Sequence, residues 1–245
     1  MLSMEFPRAR VSSLSRQSAH LVRMKSLRVL HDLALVPEGN SCALIIRHAD
    51  RDGQLNRLVA TDEGLNELGR KRSVELGKAL RRFDILRFYT SPVGRCVETC
   101  ERMAEGYGEA AKVESTEFLG MRAPSMIRPE DAYSLMRSMG LLSFTEAYVN
   151  GHIDPKVAVP CSEGARMLFA YAIERIRDVE NCAVIMVTHD MVLTPALVKY
   201  FRYDVRKNGL VPFLDGIVLY SSDYGYRATY ANSIIKVTKV GEPRS

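Results

Sequence analysis

No apolar run in this sequence approaches the roughly 18–20 residues that a bilayer-spanning helix needs, so no transmembrane segment is expected. No secretory signal is visible either, because the apolar stretch near Val29 is short and broken by His31 and Asp32. The expectation is a soluble, cytoplasmic protein. Cysteine pairs at redox or zinc-ligand spacing are also lacking. The five cysteines (Cys42, Cys96, Cys100, Cys161 and Cys182) are odd in number and scattered through apolar segments, which reads as reduced, mostly buried thiols. The net charge of +5 is missing from most of the chain: residues 1–31 hold six cations against Glu5, and the remaining 28 basic and 28 acidic residues cancel. A nucleic-acid partner would rest on that segment alone and is not expected.

What is present is a hydrophobic content of 47% in 245 residues, enough for one large domain with an insertion. Residues 1–40 read as a basic N-terminal arm or amphipathic helix, with Val11, Leu14, Leu21, Val22 and Val29 at near-helical spacing. The folded domain is expected over 41–245. It opens on Cys42-Ala43-Leu44-Ile45-Ile46, a strand buried on both faces that stops at Arg47-His48-Ala49-Asp50-Arg51. After a loop over 52–64, Asn66 caps a helix over Glu67 to Arg82. A strand over Leu86 to Thr90 then runs into Ser91-Pro92, read as N-cap and first position of a helix that carries Arg95 in its first turn. Gly106-Tyr107-Gly108 reads as the cap and turn that end it.

Lys112 to Ser115 is a short strand candidate. Residues of about 116–160 form a helical insertion, with pieces near 130–139 and 144–149 and with Met121, Met126, Met136 and Met139 as an adaptable surface for a lid. A long helix from Ser162 feeds the strand Cys182 to Val187, which ends in Thr188-His189-Asp190, and a helix over Pro195 to Phe201 comes next. The last third reads as an antiparallel hairpin, Gly216–Tyr220 with Arg227–Tyr230, plus an edge strand over Ser233 to Val240. The expected fold is α/β: a three-layer sandwich whose mainly parallel sheet has helices on both faces and an antiparallel edge toward the C-terminus.

Sheets of this kind bind ligands outside the carboxyl ends of their strands. Three such ends carry Arg47, His48 and Arg51, then Arg95, then His189 and Asp190. Guanidiniums and imidazoles converging on one point suit a phosphate. The Arg47-His48-Ala49 motif, Leu65-Asn66-Glu67-Leu68-Gly69, Thr90-Ser91-Pro92 with Arg95 and Thr99, and Thr188-His189-Asp190 together resemble, in order, the histidine phosphatase superfamily of phosphoglycerate-mutase-like fold.

That resemblance implies a phosphomonoesterase in which His48 attacks phosphorus to give a phosphohistidine and Arg47, Arg51, Arg95 and His189 hold the phosphoryl oxygens. Since guanidiniums supply the positive charge, neither a metal nor another cofactor is called for. The proton donor is expected to be Asp190, with Glu117 as the alternative. Ala49 stands where the family usually has Gly, and Gln54 where its mutases carry Asn, which counts against a mutase-type phosphotransferase. Phe213-Leu214-Asp215-Gly216 is similar to a segment of bacterial phosphatases of lipopolysaccharide-core heptose, and Arg-His-Ala to phosphohistidine phosphatases that act on signalling proteins. A small phosphorylated substrate and a phosphoprotein therefore both stay open, as does the oligomeric state. A non-catalytic phosphate or phosphoprotein binder on the same fold is the competing class. A cysteine phosphatase is disfavoured, because no Cys in a loop after a strand is followed by Arg six residues on.

Overall fold

The computed structural model describes residues 27–52, 64–110, 112–120, 122–123 and 125–237. Readings that rest on residues 1–26, on Gln54, on Met121 or on 238–240 lie outside them. In chain order the elements are α1 (Arg28–Leu33), β1 (Cys42–Arg47), α2 (Glu67–Ala79), β2 (Ile85–Thr90), α3 (Gly94–Tyr107), β3 (Val113–Ser115), α4 (Pro129–Met139), α5 (Leu141–Val149), α6 (Cys161–Ile176), β4 (Cys182–Thr188), α7 (Asp190–Phe201), α8 (Val205–Asn208), β5 (Gly216–Ser222), β6 (Gly225–Tyr230) and β7 (Ser233–Val237).

The strands form one sheet in the order β3-β2-β4-β1-β5-β6-β7. The first four are parallel to one another, while β5, β6 and β7 each pair antiparallel. The expected α/β architecture and its antiparallel C-terminal edge are thus observed. β1 and β4 lie side by side at the centre, wholly buried, as their unbroken apolar runs require. Alternate side chains of β1 feed two cores. Leu44 and Ile46 join Leu76, Cys96, Cys100 and Met103 under α1, α2 and α3, whereas Ala43 and Ile45 join Phe169, Ala172, Ile176, Leu193 and Leu197 under α6 and α7.

Three local readings change. Ser91 does not cap α3, which starts at Gly94 after Val93. The Ser91 N–H is drawn to the Val187 carbonyl (3.0 Å), prolonging the strand ladder, and its hydroxyl faces His189 instead. Only Gly108 (φ 107°) ends α3; Gly106 lies within the helix, where a Cβ would stand 2.0 Å from the Val74 carbonyl oxygen of α2. α7 begins five residues before Pro195, at Asp190, whose carboxylate accepts the Met191 N–H (2.8 Å) and whose carbonyl accepts the Thr194 hydroxyl (2.7 Å).

The insertion over 116–160 has a small core of its own, Ala132, Met136, Phe144, Tyr148, Val157 and Ala158, seated on Met191 of α7. Met136 is a core residue of that unit and not part of a substrate-facing surface; Met139 is 41% exposed. Among the described residues no helix is long and apolar enough to cross a membrane.

The arm boundary also moves. Leu27, Val29, Leu33 and Val36 are buried in the core beneath α2 and β5, so the stretch 27–36 is part of the domain and not an arm beside it. Four side chains of this size contribute about 6–10 kcal/mol on burial, comparable with the ~5–15 kcal/mol that holds a domain together. Extending an N-terminal deletion from residue 26 to residue 36 should therefore convert a cooperatively melting protein into one with no thermal transition. Calorimetry of the two truncated chains checks this, and equal melting of both would show that α1 is dispensable.

Candidate active site

The register of the sheet brings the three strand ends together. Arg47 of β1 is opposite Thr188 of β4, and Val187 of β4 is opposite Thr90 of β2, so the residues just beyond each strand emerge at one edge. The chain after β1 is then fastened. The His48 N–H donates to the Thr188 carbonyl (3.0 Å) and the Ala49 N–H to the Thr99 hydroxyl (3.1 Å). Asn66, as predicted, caps α2 by accepting the Gly69 N–H (2.8 Å), and its own N–H donates to the Asp50 carbonyl (3.0 Å). Gly69 packs so tightly on Asp50 that a Cβ would stand 2.2 Å from the same carbonyl oxygen. Arg72 Nη1 donates to both carboxylate oxygens of Asp50 (2.9 and 2.8 Å).

His48 is buried, and its two nitrogens are distinguished by their partners. Nδ1 lies 2.9 Å from the Ala49 carbonyl, which can only accept, so Nδ1 carries the proton. The Nε2 lone pair then accepts from Arg95 Nε at 3.0 Å. His189 has the opposite tautomer. Its Nε2 faces the Ser91 hydroxyl (2.9 Å), and Nδ1 accepts from Arg95 Nη2 (3.4 Å). The rings meet edge to face, with centroids 5.5 Å apart.

Burial, with the positive charges of Arg95, Arg47 and Arg51, pushes His189 down to about 3. Burial, His189, Arg47 and Arg95 likewise hold His48 well below the usual imidazole range. Both rings are therefore neutral near pH 7. The fields of Arg51 and Arg47 also reach Arg95, so all five positively charged or imidazole residues singled out in the sequence converge.

Arg47 is held on three sides. Nη1 donates to the Val211 carbonyl (2.5 Å), Nη2 lies 3.2 Å from Asp190 Oδ2, and the guanidinium stacks 4.2 Å above the Phe213 ring. Phe213 also touches His48, at 5.4 Å between centroids. Asp190 Oδ1 thus accepts the Met191 N–H, while its buried Oδ2 is ion-paired with Arg47 and accepts no hydrogen bond. Glu117 stands on the other side, after β3. Its Oε2 and the Ser91 Oγ would lie 3.1 and 3.4 Å from a methyl group placed on Gly120. Its turn is tied to the sheet by the Thr188 hydroxyl donating to the Leu119 carbonyl (2.7 Å) and the Thr116 N–H donating to the Thr90 carbonyl (2.8 Å). Tyr133 of α4 is half-buried within reach of the charges of Glu117 and Arg95, which brings the insertion to this rim.

Sequence reasoning missed Ser91 as the partner of His189, and Phe213 and Val211 as supports of Arg47. Pro92 invited a capping role for Ser91, and a carbonyl contact such as that of Val211 has no side-chain signature. The cysteines carry no chemistry here: burial pushes the Cys42 and Cys96 thiols up to about 12. Among the described residues no group of three or more His, Cys, Asp or Glu is placed to hold a metal ion.

Comparison with known proteins bears on the family and the fold. Residues 43–120 match the model of the histidine phosphatase superfamily (branch 1), a span that holds Arg47, His48, Arg51, Arg95 and Glu117. The solved structure of Bacillus stearothermophilus YhfR is 17% identical, with 76% of this chain and 94% of that chain covered at a TM-score of 0.50. Phosphoglycerate mutase from Bacillus anthracis str. Sterne is 18% identical, with 79% and 93% covered at a TM-score of 0.50. At such identities these two show the fold alone. Comparison with curated proteins gives no match.

Neutral buried imidazoles have a consequence for stability. The unfolded chain takes up protons at its histidines first, near pH 6.5. The stabilisation from holding His189 neutral is thus complete above about pH 6.5 and is lost as pH falls toward about 3. His189→Gln should flatten the acid limb of the melting temperature against pH between about 6.5 and 4. Parallel acid limbs in the wild type and the variant would mean that the ring is charged in the folded state.

Proposed function

Taking the match of residues 43–120 to the histidine phosphatase superfamily as premise, we propose that this protein is a metal-independent phosphomonoesterase working through a phosphohistidine on His48. The observation that carries the reading is the His48 tautomer: a proton fixed on Nδ1 by the Ala49 carbonyl leaves the Nε2 lone pair directed among the guanidiniums. A neutral imidazole is the nucleophilic form, and its depressed basicity keeps it neutral at physiological pH.

The chemical steps are set by these contacts. An entering phosphoryl dianion takes the donors of Arg47, Arg51 and Arg95, and Arg95 turns from His48 Nε2 to the phosphate. That anion also offsets the cationic field that holds His189 unprotonated, so His189 can gain a proton on Nδ1 and become a fourth donor. Nε2 attacks phosphorus, the P–O bond to the leaving group breaks, and the leaving oxygen takes a proton from a protonated carboxyl at the site. Water then attacks phosphorus and gives a proton to the resulting carboxylate, the P–N bond breaks, and Nε2 recovers its lone pair as phosphate departs. The guanidiniums neutralise the charge that gathers on the phosphoryl oxygens throughout.

For the carboxylate that handles the proton we favour Glu117 over the Asp190 expected from sequence. Asp190 Oδ1 accepts the Met191 N–H, and Oδ2 is paired by charge with Arg47 at 3.2 Å without a hydrogen bond, an arrangement that suits the role of holding Arg47 in place. Glu117 Oε2 and the Ser91 hydroxyl, which faces His189, both lie close to Gly120, and Glu117 falls within the segment that the family model matches. Substrate size stays open between a small phosphorylated molecule and a phosphoprotein.

Quenching in alkaline denaturant after mixing with 4-nitrophenyl phosphate should trap acid-labile, base-stable phosphate on the wild type and none on His48→Ala, whose turnover should fall by roughly 10⁴-fold or more. A protein with intact phosphate binding but neither phosphoenzyme nor turnover over a broad ester panel would be a binder.

The two carboxylates separate by leaving group. Glu117→Gln should lose about 10²-fold in kcat on glycerol phosphate and little on 4-nitrophenyl phosphate, while Asp190→Asn should raise KM on both. The reverse pattern returns the proton to Asp190.

A further inference from the structure

Arg47 depends on the segment that precedes β5, and that segment depends on α1. Besides the Val211 carbonyl and the Phe213 ring, the two chain segments exchange backbone hydrogen bonds. The Arg47 N–H donates to the Asp215 carbonyl (3.1 Å), and the Leu214 N–H donates to the Arg47 carbonyl (3.1 Å). Leu214 takes part at φ 54°, a left-handed conformation that is strained for a branched side chain and persists only where surrounding contacts impose it. The contact that closes this segment is an ion pair between Arg28 of α1 and the buried Asp215 carboxylate.

Asp215 Oδ1 accepts the Gly216 N–H (3.0 Å), which leaves Oδ2 for Arg28. The same guanidinium nitrogen donates to the Tyr230 hydroxyl (2.8 Å), and the group lies 4.8 Å over the Tyr230 ring. One turn further along α1, Asp32 accepts from the Thr229 hydroxyl (2.7 Å), the Ala231 N–H (2.9 Å) and the Asn232 N–H (3.0 Å). Residues 28 and 32 share one helix face. Both clamp the antiparallel edge, but only Arg28 touches the segment that carries Arg47.

We propose that Arg28 is a positioning residue for the phosphate clamp: through Asp215 it fixes the 211–215 segment and thereby the place of the Arg47 guanidinium. This rests on the phosphatase reading above, in which Arg47 holds the phosphoryl oxygens. Arg28 itself lies behind the 211–215 segment, on α1 against β5 and β6, and touches no reacting group. The Arg28–Asp215 pair bears on Arg47 through backbone and ring contacts, so its loss displaces the guanidinium without removing it.

The test is a double-mutant cycle on the full chain, with kcat and KM for 4-nitrophenyl phosphate and the dissociation constant of orthovanadate as readouts. Arg28→Met should lower kcat/KM by about tenfold and weaken orthovanadate by a similar factor, while in an Arg47→Ala background the same change should have less than about a twofold effect. Arg28→Lys, which keeps the charge and the Asp215 pairing, should recover most of the loss. It also serves as the second variant if Arg28→Met does not fold. Asp32→Asn should lower the melting temperature without moving the orthovanadate constant.

An Arg28→Met loss that stays full-sized without Arg47, or an orthovanadate constant unchanged by Arg28→Met, would overturn the proposal. So would Arg28→Lys losing as much as Arg28→Met. A wild type that neither binds orthovanadate nor turns over substrate would instead overturn the phosphatase reading on which it stands.

Discussion

Three guanidiniums and two imidazoles are gathered at one sheet edge, and like charges at that range repel. The rest of the site is built to hold them there. Charge is lowered where it can be, since burial among the arginines keeps both rings neutral. Arg47 is given a carboxylate, a carbonyl and an aromatic face. Arg95 rests its donors on the lone pairs of the two histidines. The chain that carries Arg51 is pinned by Asn66, Gly69 and Arg72 of α2. In the phosphatase we propose, a phosphoryl dianion in the middle would relieve the repulsion, so the arrangement that costs stability without it would favour the ligand, most of all where charge builds up during transfer.

Much of this was legible in the sequence because the signals are of the kind that periodicity and strand termini carry. An unbroken apolar run that stops at Arg47-His48 announces a central parallel strand and the edge where its ligand sits. The Asn66 cap and the hairpin around Asp223 and Tyr224 obey local rules, and the structure has both. The features that stayed hidden depend on partners far along the chain. Ser91-Pro92 has the local form of a helix start, but the Val187 carbonyl, reached only once β2 lies beside β4, claims the Ser91 N–H. The basic residues near the N-terminus read as an arm because a helix of six residues shows too little periodicity to reveal its buried side. Leu27, Val29, Leu33 and Val36 nonetheless enter the core.

The choice between the two carboxylates turns on a different matter. Arg51 and the His189-Asp190 pair together resemble the acid-phosphatase branch of the family, and that resemblance makes Asp190 the donor expected from sequence. Yet a residue at the first position of a helix that springs from a strand end can turn either into the pocket or along the edge toward the neighbouring strand. Here β1 is that neighbour, Arg47 is its last residue, and the ion pair at 3.2 Å takes the carboxylate along the edge. No spacing rule fixes which way it turns; that is set by which strand sits next to β4.

The antiparallel strands do more than cover a flank. In a parallel sheet each strand delivers to the ligand edge only the residues beyond its C-terminal end, and those three segments already carry the clustered arginines and histidines. A strand running the other way delivers the residues ahead of its N-terminal end. β5 begins at the level where β1 ends, with Gly216 opposite Ile46, so residues 211–215 arrive at the edge before the strand starts and are free to support Arg47 from its outer side. β6 then brings Tyr230 back to the same level. The Tyr230 hydroxyl meets Arg28 there, at the carboxylate that closes the 211–215 segment. The reversal of strand direction at β1 is therefore what lets α1, at the far end of the sequence from β5 and β6, reach the segment that supports Arg47.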